Sequence, residues 1–235
     1  MLRRTSKSAS RTSASTRESS AGKSTLSTRR KLAELTNAAL HQAYPSPVCA
    51  LIHSDPFELL VATILSAQCT DKRVNQVTPE LFRRFPNAQA FADATVEEIG
   101  EAIKTCGLYR SKAQNIFKAS QLLVKRYGGH VPKSFESLVE LPGVGRKTAN
   151  CVLGNAFRIA SGFVVDAHVM RLSRKIGLSD GSTPEKVEAD LNQLFPQDEW
   201  IDASHRLIFL GREHCIARRP QCSTCPLTEF CLKRP

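Results

Sequence analysis

Apolar residues recur at helical spacing through most of the chain, and this periodicity limits the possible fold more than any other feature. In the segment PFELLVATILSAQ, positions 57, 60, 61, 64 and 65 are apolar and form one stripe along a helix. Similar stripes run through residues 74–82, 96–103 and 116–127. No comparable stretch alternates apolar and polar residues as a half-buried strand does. The sequence therefore predicts an all-α body with short connections.

Capping signals mark where several of these helices begin and end. Thr95 and Glu98 form a capping-box pattern, and Thr183 followed by Pro184 is typical of a helix N-terminus. The Gly128-Gly129 pair is typical of a helix C-terminus. These signals predict helix boundaries near residues 95, 128 and 183.

The first thirty residues differ from the rest in charge and composition. They contain eight Lys and Arg and one Glu, so they carry +7 of the chain's net charge of +11. They are rich in Ser and Thr and almost free of apolar residues, which predicts a disordered basic tail over 1–30. An arm that binds polyanions is the favoured interpretation. An Arg- and Ser-rich organelle transit peptide is the alternative, although the segment lacks an amphipathic period.

The remaining 205 residues are enough for one large domain or for two smaller lobes. No apolar run approaches the length of a membrane span, and no signal-peptide core is present. We therefore expect a cytoplasmic protein without a membrane partner.

The stretch LPGVGRKTAN, residues 141–150, predicts a helix, a glycine turn and a second helix, with Ser134 capping the first. Gly143 and Gly145 allow positive φ, and the N–H groups around them could bind a phosphate oxygen. An ordinary helix–helix turn is the alternative. Lys147 lies where the helix dipole disfavours a cation. Three explanations for this placement are a phosphate contact, an amine with a lowered pKa, and chance.

Four cysteines crowd the C-terminal end with the spacing C-x6-C-x2-C-x5-C. Four thiolates so close in sequence can bind zinc or an iron–sulfur cluster. Only one short C-x2-C pair is present, whereas a zinc ribbon has two, so the spacing favours iron–sulfur. The four candidate ligands are Cys215, Cys222, Cys225 and Cys231.

Asp166 precedes the apolar stripe of the next helix, which predicts an N-cap. A carboxylate at that position could also handle a proton or stabilise a cation if it faced Lys147. The sequence leaves both interpretations open.

Together these features resemble the endonuclease III family of DNA glycosylases. The resemblance rests on the hairpin with Lys147, on Asp166 nineteen residues later, on the four-cysteine tail, and on the segments LSAQCTDKRV and CGLYRSKAQNI. It is collinear over residues 31–231. It implies a two-lobed helix-hairpin-helix DNA glycosylase fold, with a six-helix barrel over 50–159. The second lobe would join 31–49 to 160–235 around a [4Fe–4S] cluster.

The resemblance also implies a function, namely a bifunctional DNA glycosylase and AP lyase of base excision repair. Such an enzyme excises oxidised pyrimidines through a lysine Schiff base and nicks the strand by β-elimination. Its partner would be double-stranded DNA that contains oxidised pyrimidines or abasic sites. It would act as a monomer associated with the nucleoid.

Site residues follow from the resemblance position by position. Lys147 matches the nucleophile and Asp166 the catalytic aspartate. We expect burial, the neighbouring Arg146 and the positive end of the helix each to lower the pKa of the Lys147 amine and so to activate it. The four cysteines match the cluster ligands. The expected DNA-binding residues are Gln68, Leu108, Leu141, Gly143, Gly145, Arg146, Thr148 and His168.

The sequence departs from the family pattern in two places, and two other functions compete. Ala167 replaces the usual threonine, and the link between Phe157 and Asp166 is one residue longer and lacks a proline. A mismatch adenine glycosylase would carry serine at 147 and an acid at Ala62. A non-enzymatic DNA-binding module would have no use for an amine paired with a carboxylate.

Overall fold

The computed structural model describes residues 25–233, and this part of the chain is helical without any β-strand. The all-α prediction is confirmed. None of the helices described is both long enough and apolar enough to cross a bilayer. The helices are α1 (Leu26–Ala43), α2 (Pro56–Ser66), α3 (Asp71–Arg84), α4 (Ala88–Asp93), α5 (Val96–Ala102), α6 (Tyr109–Tyr127), α7 (Phe135–Val139), α8 (Arg146–Phe157), α9 (Ala167–Ile176), α10 (Pro184–Leu194) and α11 (Trp200–Glu213).

The capping signals lie where the sequence predicted them. Thr95 and Glu98 form a complete capping box at the start of α5. Thr183 accepts a hydrogen bond from the N–H of Lys186 at the start of α10. Gly128 ends α6 in the left-handed conformation that glycine tolerates.

Helices α2 to α8 surround the first of two hydrophobic clusters, which we call the central cluster (buried residues between 51 and 153). Phe91 of α4 is fully buried there, with ring centroids 5.5 Å from Phe57 and 5.0 Å from Phe85. Helix α2 contacts α3, α6 and α8. Because α2 has neighbours on several sides, most of its residues are apolar and buried.

The second cluster, the terminal cluster, joins α1 to the C-terminal third of the chain (buried residues 32–40 and 163–227). Helix α1 packs on α10 and α11, and α11 packs on α9. The rings of Phe163 and Phe195 contact each other within it in a tilted arrangement, with their centroids 5.4 Å apart. These two clusters support the proposed division into 50–159 and 31–49 with 160–235, which stays a prediction.

The predicted tail overlaps α1, so its boundary at residue 30 is wrong. Thr25 caps α1 by accepting a hydrogen bond from the N–H of Thr28, and the helix begins at Leu26. Arg29 pairs with Asp180 and lies 3.9 Å from Asp190, which fastens the first turns of α1 to the terminal cluster. Residues 1–24, on which the rest of this prediction falls, lie outside the described residues.

A buried carboxylate connects α8 with α10. Glu188 is 6% exposed and accepts hydrogen bonds from Arg146 at 2.8 and 3.2 Å and from Asn150 at 3.1 Å. Asn150 in turn accepts a hydrogen bond from the Ser161 hydroxyl. We call these four residues the Glu188 network. It holds α8, α10 and the link before α9 in a fixed relation.

The long link between α8 and α9 is anchored along its length. The N–H of Phe163 donates to Asn192 and that of Val164 to the Ser204 hydroxyl, both at 3.0 Å. These bonds satisfy backbone groups that no helix or strand pairs. The extra residue in the link is therefore accommodated in an ordered segment that ends at Asp166.

We expect Glu188→Ala to lower the free energy of unfolding by about 2 kcal/mol, because it leaves buried Asn150 and the guanidinium of Arg146 without their acceptor. The value is below that for a fully buried pair because the side chain of Arg146 is half exposed. Glu34→Ala, on the exposed face of α1, serves as the control and should change stability by less than about 0.5 kcal/mol. Urea denaturation measures both, and equal stability of the two variants would contradict this role.

Candidate functional site

A cleft of about 680 Å³ lies between the loop after α2 and the first turns of α8 and α9. Its walls include Lys147, Thr148, Asp166 and His168, and the loop contributes Gln68. Two helix N-termini point toward one opening, which favours an anionic ligand such as a phosphate. The structure thus brings together five of the residues that the sequence singled out.

Lys147 is the second residue of α8 and is exposed in the cleft. The expectation that this amine is buried is therefore wrong. No ion pair described within residues 25–233 includes Lys147. The amine is consequently accessible to a ligand.

Arg146 does not direct its charge at the lysine. Its guanidinium pairs with Glu188 at 2.8 Å and lies 4.8 Å from the centre of the Phe135 ring. The carboxylate of Glu188 compensates the charge that was expected to activate Lys147. The field at the start of α8 still acts on the amine.

Asp166 is the N-cap of α9, as predicted, and accepts a hydrogen bond from the N–H of Val169 at 2.8 Å. It is half-buried and borders the cleft together with Lys147. Both residues also border a smaller cavity of about 90 Å³ behind the cleft. The amine and the carboxylate therefore share two connected spaces without forming an ion pair.

The smaller cavity collects residues that the sequence analysis missed. Cys151 lies one turn after Lys147, and its hydrogen bond with Cys49, together with burial, raises the pKa of the Cys49 thiol. Nε2 of His205 donates to the side-chain Oδ1 of Asn155 at 2.7 Å, and burial lowers the pKa of His205. His205 thus adds no second cation behind Lys147. No local pattern in the sequence distinguishes these residues from ordinary core positions.

Of the two glycines in the turn, Gly143 and Gly145, the backbone conformation requires glycine only at the first. Gly143 has φ +80, and a Cβ there would lie 2.9 Å from the Cβ of Asn115. Gly145 is the N-cap of α8 with φ −94, which any residue adopts. Positive φ is therefore used at 143 alone, and the exposed Gly145 leaves the first N–H groups of α8 uncovered.

Leu141 belongs to the core of the hairpin. It is 2% exposed, its N–H donates to the carbonyl of Leu138, and its carbonyl accepts from the N–H of Val144. The buried side chain leaves the backbone of Leu141 as the part that could contact DNA, and this contact stays a prediction. The residue holds α7 against the turn.

Gln68 and Leu108 share an uncommon backbone conformation. Their φ angles are +51 and +59, although neither is glycine, and such a conformation costs about 1–3 kcal/mol. Both are exposed, and Leu108 retains 56% of its accessible surface. Strained, exposed residues beside a cleft are typical of sites that bind a ligand.

His168 is held against α11 at the side of the cleft. A Cβ at Gly211 would lie 2.7 Å from its Nδ1, so glycine permits this approach. Arg171 lies 3.4 Å from the same nitrogen and donates to the carbonyl of Cys215 at 2.6 Å. This polar chain connects the cleft with the first of the clustered cysteines.

Arg212 and Asp71 form a contact across the cleft. Their side chains pair at 2.5 Å, which joins the start of α3 to the end of α11. Asp71 follows the N-cap Thr70, so its sequence context is explained by helix capping alone. The sequence therefore gave no sign of this pair.

The four C-terminal cysteines lie near one another around the end of α11. Burial raises the pKa of Cys215 and of Cys225, and the other cysteines of the set add to both shifts. None of the four forms a disulfide, and Cys222 alone among them is exposed. Four neighbouring thiols, three of them partly buried, are the donor set that an iron–sulfur cluster requires.

These features are matched by one class of known proteins. Residues 61–197 match the HhH-GPD superfamily of base excision DNA repair proteins, and residues 215–231 match the iron–sulfur binding domain of endonuclease III. The chain belongs to the endonuclease III family within this superfamily. It is a DNA glycosylase and AP lyase of base excision repair with a [4Fe–4S] cluster, so the iron–sulfur prediction is confirmed.

Curated relatives match along most of their own length. Endonuclease III of Synechocystis is 48% identical over 192 residues, which cover 82% of this chain and 88% of that protein. The Bacillus subtilis enzyme is 46% identical, with coverage of 80% and 86%, and the Escherichia coli K12 enzyme is 41% identical, with coverage of 82% and 90%.

Solved structures share the fold. A trapped covalent intermediate of endonuclease III with DNA superposes with a TM-score of 0.83 at 40% identity, covering 87% of this chain and 96% of that one. A thermostable thymine-DNA glycosylase has a TM-score of 0.72 at 22% identity, covering 87% and 96%. The second likeness concerns the fold alone.

We expect Cys225→Ala to lower the iron content from about four atoms per chain and to remove the visible absorption of the cluster. Loss of one ligand should also lower solubility, because binding of the cluster and folding of its surroundings are coupled. Cys151→Ala makes the same chemical change in α8, far from the four thiols in sequence, and should retain the iron. Full iron content in Cys225→Ala would contradict the ligand assignment.

Proposed function

We propose that this chain excises oxidised pyrimidines from duplex DNA with Lys147 as the nucleophile, and then cleaves the strand 3′ to the abasic site. The observation that carries the proposal is the position of Lys147 and Asp166. They border the same cleft from the starts of two helices, and none of the ion pairs formed within residues 25–233 includes the amine. The trapped covalent DNA intermediate of a protein 40% identical supports a covalent route.

The first step is displacement of the damaged base. The lone pair of the unprotonated Lys147 amine attacks C1′, and the bond from C1′ to the base breaks with its electron pair leaving on the base. Asp166 stabilises the positive charge that develops on the sugar and accepts the proton that the amine loses. Half-burial strengthens this effect, because the carboxylate is only partly screened by water.

The second step breaks the strand. The nitrogen lone pair forms a C=N bond to C1′ as the C1′–O4′ bond breaks, and O4′ keeps the electron pair of that bond and takes the proton that Asp166 accepted. The resulting Schiff base acidifies the hydrogens on C2′. Removal of a C2′ proton supplies the electrons of a new C2′=C3′ bond, and the 3′ phosphate leaves. Water then hydrolyses the Schiff base and restores Lys147.

Access to C1′ requires that the nucleotide leave the helix. Gln68 is exposed on the wall of the cleft, and Leu108 is exposed on the adjoining loop, where Gly107 lies against the Gln68 carbonyl. We therefore propose that both side chains enter the space vacated in the duplex. Gly143, Gly145 and Thr148 would hold the adjacent phosphates through N–H groups at the start of α8, with Arg146 and His168 at the edges.

The proposed reaction also bears on the oligomeric state of the protein and on its location in the cell. Every residue that the proposed reaction uses belongs to one chain, so we propose that a monomer suffices. A DNA substrate implies association with the nucleoid. The four C-terminal cysteines would hold the [4Fe–4S] cluster, which supplies structural support beside the DNA.

A mismatch adenine glycosylase is the nearest alternative. That reading needs an acid at position 62, where the chain has an alanine with no exposed surface, on a helix packed on several sides. The acid that this alternative requires is therefore absent. This observation favours the lysine-dependent reaction.

We expect Lys147→Gln to abolish strand cleavage and borohydride trapping on abasic-site DNA, since it removes the proposed nucleophile. Binding of the same DNA should persist, because the N–H groups at the start of α8 remain. Asp166→Asn keeps the amine and should lower base excision by a factor of about 10²–10⁴ while it still allows some trapping. Gel assays of the reduced adduct and of the nicked strand measure both effects.

Lys72→Gln is the matched control. Lys72 is an exposed lysine on the wall of the same cleft, so the substitution changes one amine there without touching the proposed nucleophile. It should trap at the wild-type yield. Wild-type trapping by Lys147→Gln would disprove the assignment of the nucleophile.

A further inference from the structure

The loops that carry Gln68 and Leu108 touch each other. Gln68 follows α2, Leu108 precedes α6, and Gly107 lies against the carbonyl of Gln68. A Cβ at residue 107 would lie 2.9 Å from that oxygen, closer than side chains normally approach. Glycine therefore allows the two backbones to meet. We call residues 66–70 and 103–109 the paired loops.

A contact between two thiols also joins the paired loops. Cys69 and Cys106 are linked by a side-chain hydrogen bond, and burial together with Cys69 raises the pKa of Cys106 to about 11. Cys106 is 2% exposed. The Cys106 thiol is thus protonated at neutral pH and acts as a small, buried packing group, and it contacts the partly buried Cys69.

Lys112 forms the third contact and reaches both loops. Its N–H donates to the carbonyl of Leu108 at 3.1 Å, as part of the first turn of α6. Its Nζ donates to the carbonyl of Leu65 at 2.7 Å, in the last turn of α2. One residue thereby connects the helix that begins at Leu108 with the helix that leads into Gln68.

The burial of this lysine calls for an explanation. Lys112 is 4% exposed, and none of the ion pairs described in residues 25–233 provides it with a carboxylate. Burial lowers its pKa. An apolar side chain of similar length would fill the space without desolvating a charge. What the lysine adds is a bond to a helix C-terminus, where carbonyls lack partners and the dipole favours a cation.

We propose that Lys112 and Gly107 are positioning residues that hold Gln68 and Leu108 in the geometry needed to enter the duplex. This inference rests on the proposed insertion of those two residues. Positive φ is unfavourable for both of them, so it persists only where surrounding contacts enforce it. Without those contacts the loops would relax, and both side chains would move away from the opening in the DNA.

Two assays distinguish a loss of loop positioning from general damage to the fold: excision of a base from a duplex, and cleavage at a pre-formed abasic site. Lys112→Met removes the hydrogen bond to Leu65 but keeps the length of the side chain, and Gly107→Ala disturbs the contact with Gln68. Each should slow single-turnover excision of thymine glycol from a duplex by about tenfold to hundredfold. Cleavage at a pre-formed abasic site, where no base has to be unstacked, should fall less than about threefold.

Two further variants make the outcomes distinct. Lys118→Met, on the exposed face of α6, makes the same chemical change without a loop contact and should retain both rates. A double variant, Gln68→Ala with Leu108→Ala, tests insertion itself. If it excises thymine glycol at the wild-type rate, the insertion proposal fails.

If the double variant is slow but Lys112→Met and Gly107→Ala keep the wild-type ratio of excision to lyase rates, the positioning inference is overturned. Equal loss of both activities also contradicts it, because general structural damage would then explain the effect. Should Lys112→Met fail to fold, Gly107→Ala alone decides the matter, since it perturbs the same loops from the other side.

Discussion

The carboxylate of Glu188 is the contact on which the geometry of the site depends. It is buried on α10, yet it accepts hydrogen bonds from two residues of α8, and Asn150 passes the connection on to the link before α9. Lys147 lies in the first turn of α8, and Asp166 lies at the end of the link that precedes α9. A displacement of α8 relative to α10 would therefore change the separation between amine and carboxylate, although neither of them contacts Glu188.

Around this fixed centre, the cleft obtains its chemistry from helix ends. Lys147 and Asp166 stand at the starts of α8 and α9, and α2 ends beside the opening. Helix termini present unpaired N–H and C=O groups, so they can bind phosphates on one side and the ammonium of Lys112 on the other. The iron–sulfur region is tied to the same centre through Arg171, which donates to the carbonyl of Cys215 and approaches His168.

Local physics in the sequence was sufficient for the helices, because caps such as Thr95 and Asp166 and the apolar stripes act within one or two turns. The role of Lys147 came from the resemblance to a family, whereas the spacing of the four cysteines by itself favoured an iron–sulfur cluster. Contacts between distant residues could not be predicted. Arg146 was expected to act on its neighbour, but it pairs with Glu188, 42 residues away. Lys112 looks like an ordinary helical lysine, and its acceptor lies 47 residues earlier in the chain.

The account depends on one covalent bond, between the amine of Lys147 and C1′ of the sugar. Its position can be read directly by protease digestion and mass spectrometry of the wild-type protein after reduction on abasic-site DNA. The sugar remnant is predicted on the peptide that contains Lys147, where the modified side chain blocks cleavage by trypsin. A remnant on another lysine or on the N-terminal amine, with Lys147 unmodified, would contradict the account.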